Sequence, residues 1–203
     1  MSVDERMVHD IVQKVMANMQ ISGSVSGMHG VFKDMNDAIN ASIEAQKKVC
    51  TMTLDQREQI ISLIRKKTHE NAEILANMGV NETGMGNVGD KILKHHLTAD
   101  KVPGTEDIST IAWSGDRGLT LVEMGPFGVI GAITPATNPS ETVICNCIGM
   151  LAGGNTVVFN PHPNAKKTTI YTINMINEAS IEAGGPDNIA VTVEAPTLDT
   201  SAI

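Results

Sequence analysis

Aromatic side chains are nearly missing from this chain, which has one Trp, one Tyr and three Phe among 203 residues. Its formal charge is -8, so it lacks both the stacking platforms and the basic face by which nucleic acids are held, and no nucleic-acid partner is expected. The three cysteines, Cys50, Cys145 and Cys147, form neither a disulfide framework nor a zinc spacing, and an odd count suits a reducing cytosol. No apolar run is long enough for a membrane span, and acidic residues interrupt the apolar positions of the N-terminus, so neither a span nor a signal peptide is expected. What is present is 41% hydrophobic residues and 12 Met, enough for an adaptable, aliphatic core.

The chain is organised around residues 128–193. Three short runs rich in β-branched residues, 129–133, 156–159 and 189–193, read as buried strands. Segments 140–151 and 165–183 between them are long enough for crossover helices, and Gly184-Gly185-Pro186 stops the second. Strand, helix, strand, helix, strand is a Rossmann-like parallel βαβαβ unit of an α/β fold. Ligands of such sheets bind outside the carboxyl ends of the strands, here Thr134-Pro-Ala-Thr-Asn138 and Asn160-Pro-His162-Pro.

Before this unit, residues 4–20 carry apolar side chains at spacings of three and four and read as an amphipathic helix. A Ser/Gly-rich stretch, 21–30, follows as a flexible linker. Such a helix either docks into a groove on another protein or packs on its own subunit. The pattern is helical from Asp34 to Met78, with Thr53 and Gln56 as a capping box and Gly79 as the expected C-cap. Gly84-Met-Gly86-Asn-Val-Gly89 matches the dinucleotide fingerprint in letters only, because it follows a helix and not a strand, so it reads as a loop between helices. His95 and His96 read as surface residues with no third metal ligand nearby, and no metal site is expected. Residues 100–118 read as loop with Trp113 as a packing anchor, and 118–124 as a strand that Gly125-Pro126 turns towards the βαβαβ unit.

Asn138 is the sharpest chemical candidate, since a side-chain amide at a strand end can donate to a developing oxyanion. Asn138-Pro139-Ser140-Glu141 is equally a helix start, and on residue types alone the cap is the more economical reading. His162 either faces a ligand or is exposed and bonded to backbone. Lys166 and Lys167 fall in a first helical turn, where an anionic ligand would rationalise them, against the plainer reading of two solvated lysines. Cys145 and Cys147 read as packing thiols.

The motifs Ala132-Ile-Thr-Pro-Ala-Thr-Asn138-Pro, Gly154-Asn-Thr-Val-Val-Phe-Asn-Pro-His162-Pro, Glu182-Ala-Gly-Gly-Pro-Asp-Asn188 and Asn81-Glu-Thr-Gly-Met-Gly86 resemble the aldehyde dehydrogenase superfamily. They resemble most its CoA-acylating branch, the acetaldehyde and propionaldehyde dehydrogenases of bacterial microcompartments. The resemblance implies oxidation of a short aldehyde with NAD through a cysteine thiohemiacetal, and passage of the acyl group to coenzyme A. Asn138 would hold the oxyanion, while Ile133, Thr134, Pro135, Ala136, Asn160, Pro161 and His162 would contact NAD. Hydrolytic members place their Asn one position sooner after the Pro and carry Lys in place of Asn160, and both differences look like the acylating branch.

The resemblance divides the chain into a targeting helix (1–20), a linker (21–30), an N-terminal helical region (31–117) and an incomplete NAD-binding α/β region (118–203). It implies a cytoplasmic protein inside a microcompartment, contacting shell or cargo proteins through residues 4–20, and a homo-oligomer whose strand from Gly118 pairs across subunits. Members of the family continue beyond this point into a domain bearing the nucleophilic cysteine, a position none of the three cysteines occupies. The chain alone is therefore expected to be inactive. The competing expectation is a non-catalytic cargo, assembly or nucleotide-binding module.

Overall fold

The computed structural model describes residues 27–197 and 199–203, so the predicted helix at 4–20 and most of the linker lie outside the described residues. A four-stranded parallel sheet has the order β1-β6-β5-β4, with β1 Val31–Phe32, β4 Val129–Thr134, β5 Thr156–Pro161 and β6 Ala190–Val193. Helix α4, Pro139–Ala152, joins β4 to β5, and α5, Lys166–Glu182, joins β5 to β6, which is the expected βαβαβ unit. Alternation along β5 sends Val157 and Phe159 into one core and Val158 into another. The first core is closed by α4, α5 and the long helix α2, Leu54–Thr83, through Ile60, Ile64, Leu75, Ile144, Ile148 and Ile176. The second is closed by α1, Met35–Val49, through Met35 and Ala38. Burial on both faces explains why β5 and β6 read as unbroken apolar runs.

The helical stretch 31–117 and the α/β stretch 118–203 share these cores. Strand β1 lies parallel to β6, with Val31 beside Thr192 and Phe32 beside Val193, and a two-residue strand leaves no periodicity to read. Residues 27–30 form a turn in which His29 N–H donates to Asn174 Oδ1 at 2.8 Å and the His29 ring meets Asp187 at 2.8 Å.

Three expectations for the helical region need correction. The capping box at Thr53 is present, but α2 does not stop at Gly79. It runs on to Thr83, and Gly84 provides the left-handed cap at φ 68° with its N–H on Val80 C=O. Gly79 is buried inside the helix, where Thr83 Oγ1 donates back to its carbonyl. Helix α3, Val88–Lys101, does not leave His95 on the surface: Lys91, His95 and Ala99 form its buried stripe. Residues 111–115 are not loop but β2, Ile111–Gly115, paired antiparallel with β3, Gly118–Val122, around Asp116 and Arg117. Trp113 on β2 is 57% exposed and anchors no core. The Gly84–Gly89 stretch is indeed a loop between helices, with Asn87 capping α3. After β3, the Asn155 side chain accepts the N–H groups of Phe127 and Gly128 and so fixes where β4 begins. Among the described residues, no helix is long and apolar enough to cross a membrane.

Candidate functional site

Strands β4 and β5 end together, since Thr134 lies beside Pro161 and the ladder is extended by His162 N–H donating to Thr134 C=O at 3.0 Å. This register sets the loops 134–138 and 160–162 side by side at the carboxyl edge of the sheet. The predicted site residues then part company. Ile133, 74% exposed, and Asn160 line a cleft of about 370 Å³ on the α1 side, with Ile39 and Ile43 opposite. Asn138 lines a second cleft of about 310 Å³ on the α4 side, between Lys94 and Leu97 of α3 and Thr142, Cys145 and Asn146 of α4. Loop 134–138 thus spans the sheet edge from one cleft to the other, with Pro135 exposed and Ala136 buried on the way.

Thr134, next to Ile133 in β4 but not lining the first cleft, is buried and its hydroxyl has no hydrogen-bond partner. The Asn160 amide is engaged: it donates to Thr197 C=O at 3.0 Å and to Ser201 Oγ, and accepts from Thr200 Oγ1 at 2.9 Å. His162 is exposed, and its Nδ1 accepts Asn164 N–H at 3.1 Å, which is the backbone-bonded reading of that ring. Glu82 falls within the Asn81–Gly86 motif, which assigns it no role, and its carboxylate receives Lys167 N–H, Thr168 N–H and the Thr168 hydroxyl at 2.7–2.8 Å. The anion at the start of α5 is therefore supplied by the chain itself, next to Lys166 and Lys167.

In the second cleft, Asn138 is the N-cap residue of α4 by position, but its side chain makes no capping hydrogen bond. The helix start read from the residue types is in place, with Asn138 at the N-cap, Pro139 at N1 and Glu141 in the first turn, and only the side-chain cap bond is missing. Pro139 at N1 removes one orphan donor of the first turn, and the Asn138 carbonyl already accepts Thr142 N–H at 3.0 Å. The side-chain oxygen accepts instead from Lys94 Nζ at 3.3 Å.

Behind Asn138 lies a buried polar cluster that the sequence reading missed. Lys91 Nζ donates to Thr137 C=O at 3.0 Å and to Glu141 Oε1 at 3.2 Å, with both side chains almost wholly buried. Burial pushes the His95 imidazole below its ordinary pKa, against the pull of Glu141 the other way. The neutral ring donates from Nδ1 to Lys91 C=O at 2.7 Å, so Nε2 accepts from the Ser140 hydroxyl, also at 2.7 Å. The signal was there in inverted form: α3 turns Leu93 and Leu97 outward, 67% and 59% exposed, and Lys91 and His95 inward.

The cysteines divide. Cys147 is buried and its thiol is pushed up to about 12 by desolvation, while Cys145, read as a packing thiol, is exposed in the second cleft. Its thiol too is raised by partial burial, which makes it a poor nucleophile at neutral pH. The arrangement can bind and can stabilise a negative oxygen, but supplies no activated thiolate among the described residues.

Residues 16–200 match the model of the aldehyde dehydrogenase family. An acetylating acetaldehyde dehydrogenase of Bilophila wadsworthia is 45% identical over 206 residues, covering 97% of this chain and 42% of that protein. The solved propionaldehyde dehydrogenase from the Clostridium phytofermentans fucose utilisation bacterial microcompartment is 73% identical at a TM-score of 0.84, covering 85% of this chain and 40% of that one. The Rhodopseudomonas palustris propionaldehyde dehydrogenase with bound propionyl-CoA is 43% identical at 0.84, covering 90% and 42%. The chain thus spans about two fifths of the length of the relatives it matches.

Proposed function

The chain belongs to the aldehyde dehydrogenase family, and from that premise we propose that it supplies the oxyanion-binding and part of the nucleotide-binding apparatus of a CoA-acylating aldehyde dehydrogenase. The observation that carries this reading is Asn138, free of capping duty, at the mouth of a cleft, with its amide oxygen held by Lys94. With the oxygen so engaged, the NH2 group is left to donate. In the reaction, a cysteine thiolate from the remainder of the enzyme adds to the aldehyde carbon, and the carbonyl oxygen becomes an oxyanion that accepts a hydrogen bond from Asn138 Nδ2. NAD, when bound, accepts the hydride that leaves this carbon. The resulting thioester passes its acyl group to the thiol of coenzyme A. The aldehyde tail lies in the α3–α4 cleft beside Leu97 and Thr142. Ile133, Thr134, Pro135 and Ala136 on one loop and Asn160, Pro161 and His162 on the other would contact the nicotinamide nucleotide at the carboxyl edge of the sheet, Ile133 and Asn160 from within the α1-side cleft.

The test is to complete this chain with the remaining part of the Clostridium phytofermentans enzyme and supply propanal, NAD and coenzyme A. Propanoyl-CoA and NADH are expected in equal amounts, and none from the 203-residue chain alone. Release of free propanoate with no dependence on coenzyme A would sink the acylating reading.

Two proposals concern assembly. The hairpin exposes Trp113, Leu119 and Leu121, and Phe127 after it is 96% exposed, which suits pairing between subunits. Sedimentation of the completed enzyme checks this, a monomer counting against it. The amphipathic pattern at 4–20 suits docking to microcompartment shell or cargo proteins in the bacterial cytoplasm, in keeping with the source of the Clostridium phytofermentans relative. A reporter bearing residues 1–20 that stays diffuse in cells making such compartments would exclude it.

A further inference from the structure

Helix α3 buries charge and exposes leucine, which is a costly way to pack two helices. A lysine and a glutamate removed from water lose hydration that their mutual attraction only partly restores, and apolar side chains of similar volume hold helices together as well or better. The placement of Lys91 shows what the charge is used for. Its ammonium donates to Thr137 C=O at 3.0 Å, the carbonyl of the peptide bond leading into Asn138, and is held there by Glu141 at 3.2 Å. Three residues on, Lys94 Nζ lies 3.3 Å from Asn138 Oδ1. An ammonium is a donor only, so the amide must turn its oxygen to Lys94 and its NH2 away. His95, one turn after Lys91, ties the same first turn of α4 through Ser140 at 2.7 Å.

We infer that Lys91 and Lys94 are positioning residues for Asn138: Lys91 pins the backbone immediately before it, and Lys94 sets the flip of its amide so that the NH2 meets the oxyanion. The inference rests on the reading of Asn138 as oxyanion donor. A rotated amide would present a lone pair to a negative oxygen, so orientation decides whether the residue helps or hinders. Both lysines act on the oxyanion through Asn138.

The experiment uses the completed enzyme and measures kcat, KM for propanal and melting temperature in the presence and absence of Asn138→Ala. Lys94→Met, at an exposed position, is expected to lower kcat on the order of 10-fold with KM nearly unchanged, and Lys94→Arg to restore it. The paired Lys91→Met, Glu141→Leu variant is expected to keep its melting temperature and lose kcat to a similar extent. Both losses are expected to vanish in the Asn138→Ala background, because a misplaced amide that has been removed costs nothing further. Wild-type kcat in Lys94→Met, or a loss that persists undiminished without Asn138, overturns the inference. If the paired variant fails to fold, Lys94→Met and Lys94→Arg decide the matter alone. Should Asn138→Ala itself leave kcat untouched, it is the oxyanion reading that fails, an outcome distinct from either of these.

Discussion

Asn138→Ala in the completed enzyme is expected to lower kcat by about 10²- to 10³-fold, the ~2.7–4 kcal/mol that one oxyanion donor contributes. KM for the aldehyde should move little, because the hydrogen bond strengthens as charge develops on the oxygen and is weak to the uncharged carbonyl. Asn138→Asp keeps the shape of the side chain but replaces the donor with a carboxylate oxygen, and should be at least as damaging; Lys94 would then hold an anion in the place meant for one. The stability of these variants separates the two readings of Asn138. A side chain capping α4 would cost about 1 kcal/mol on truncation and lower the melting temperature accordingly. The cap bond is absent, so the melting temperature of Asn138→Ala should stay near that of the parent while kcat collapses. Steady-state kinetics beside a thermal melt reads both. A lowered melting temperature with kcat intact would return Asn138 to the role of helix cap.

That ambiguity shows where the sequence is legible. The βαβαβ unit could be read directly because β5 and β6 are buried on both faces, so their β-branched runs are unbroken and Pro or Gly bounds each one. The capping box of α2 could be read because it is local: two side chains and two N–H groups within one turn. Long-range features could not. Glu82 reaches the start of α5 across more than eighty residues, and although Lys166 and Lys167 point to an anion there, nothing local says which carboxylate supplies it. In α3, Leu93 and Leu97 name the wrong face as the buried one, because helical periodicity reports where apolar side chains lie and not what covers them. The exposure of β2 along its whole length likewise hid a strand inside a segment punctuated by Gly and Pro. At Asn138 the residue types fitted cap and oxyanion donor alike, and only the direction of the amide, set by Lys94, distinguishes them.

Gly30→Ala is expected to be the most damaging single methyl in the fold. Gly30 sits at φ +75°, where a Cβ costs about 1–2 kcal/mol by itself. Here the Cβ would also fall 2.3 Å from Asn177 Nδ2 and 2.4 Å from Ala190 O. Those two atoms bond each other at 2.7 Å, and Asn177, fully buried, also donates to Ile173 C=O and accepts Ile189 N–H, tying α5 to the start of β6. Neither can step aside without leaving buried polar groups unpaired, at about 1–3 kcal/mol each. The carbonyl of Gly30 accepts Thr192 N–H at 2.8 Å, so moving residue 30 instead strips β1 from the sheet edge. Together these give a loss of roughly 3–8 kcal/mol, or a melting temperature lower by about 6–32 °C. Gly84 is the control, since it is also left-handed, at φ +68°, but has open space around the added methyl. Gly84→Ala should show the backbone cost alone, about 1–2 kcal/mol. Equal losses in the two variants would mean that Asn177 and Ala190 do not close over Gly30, and that β1 is not seated against β6 in the folded protein.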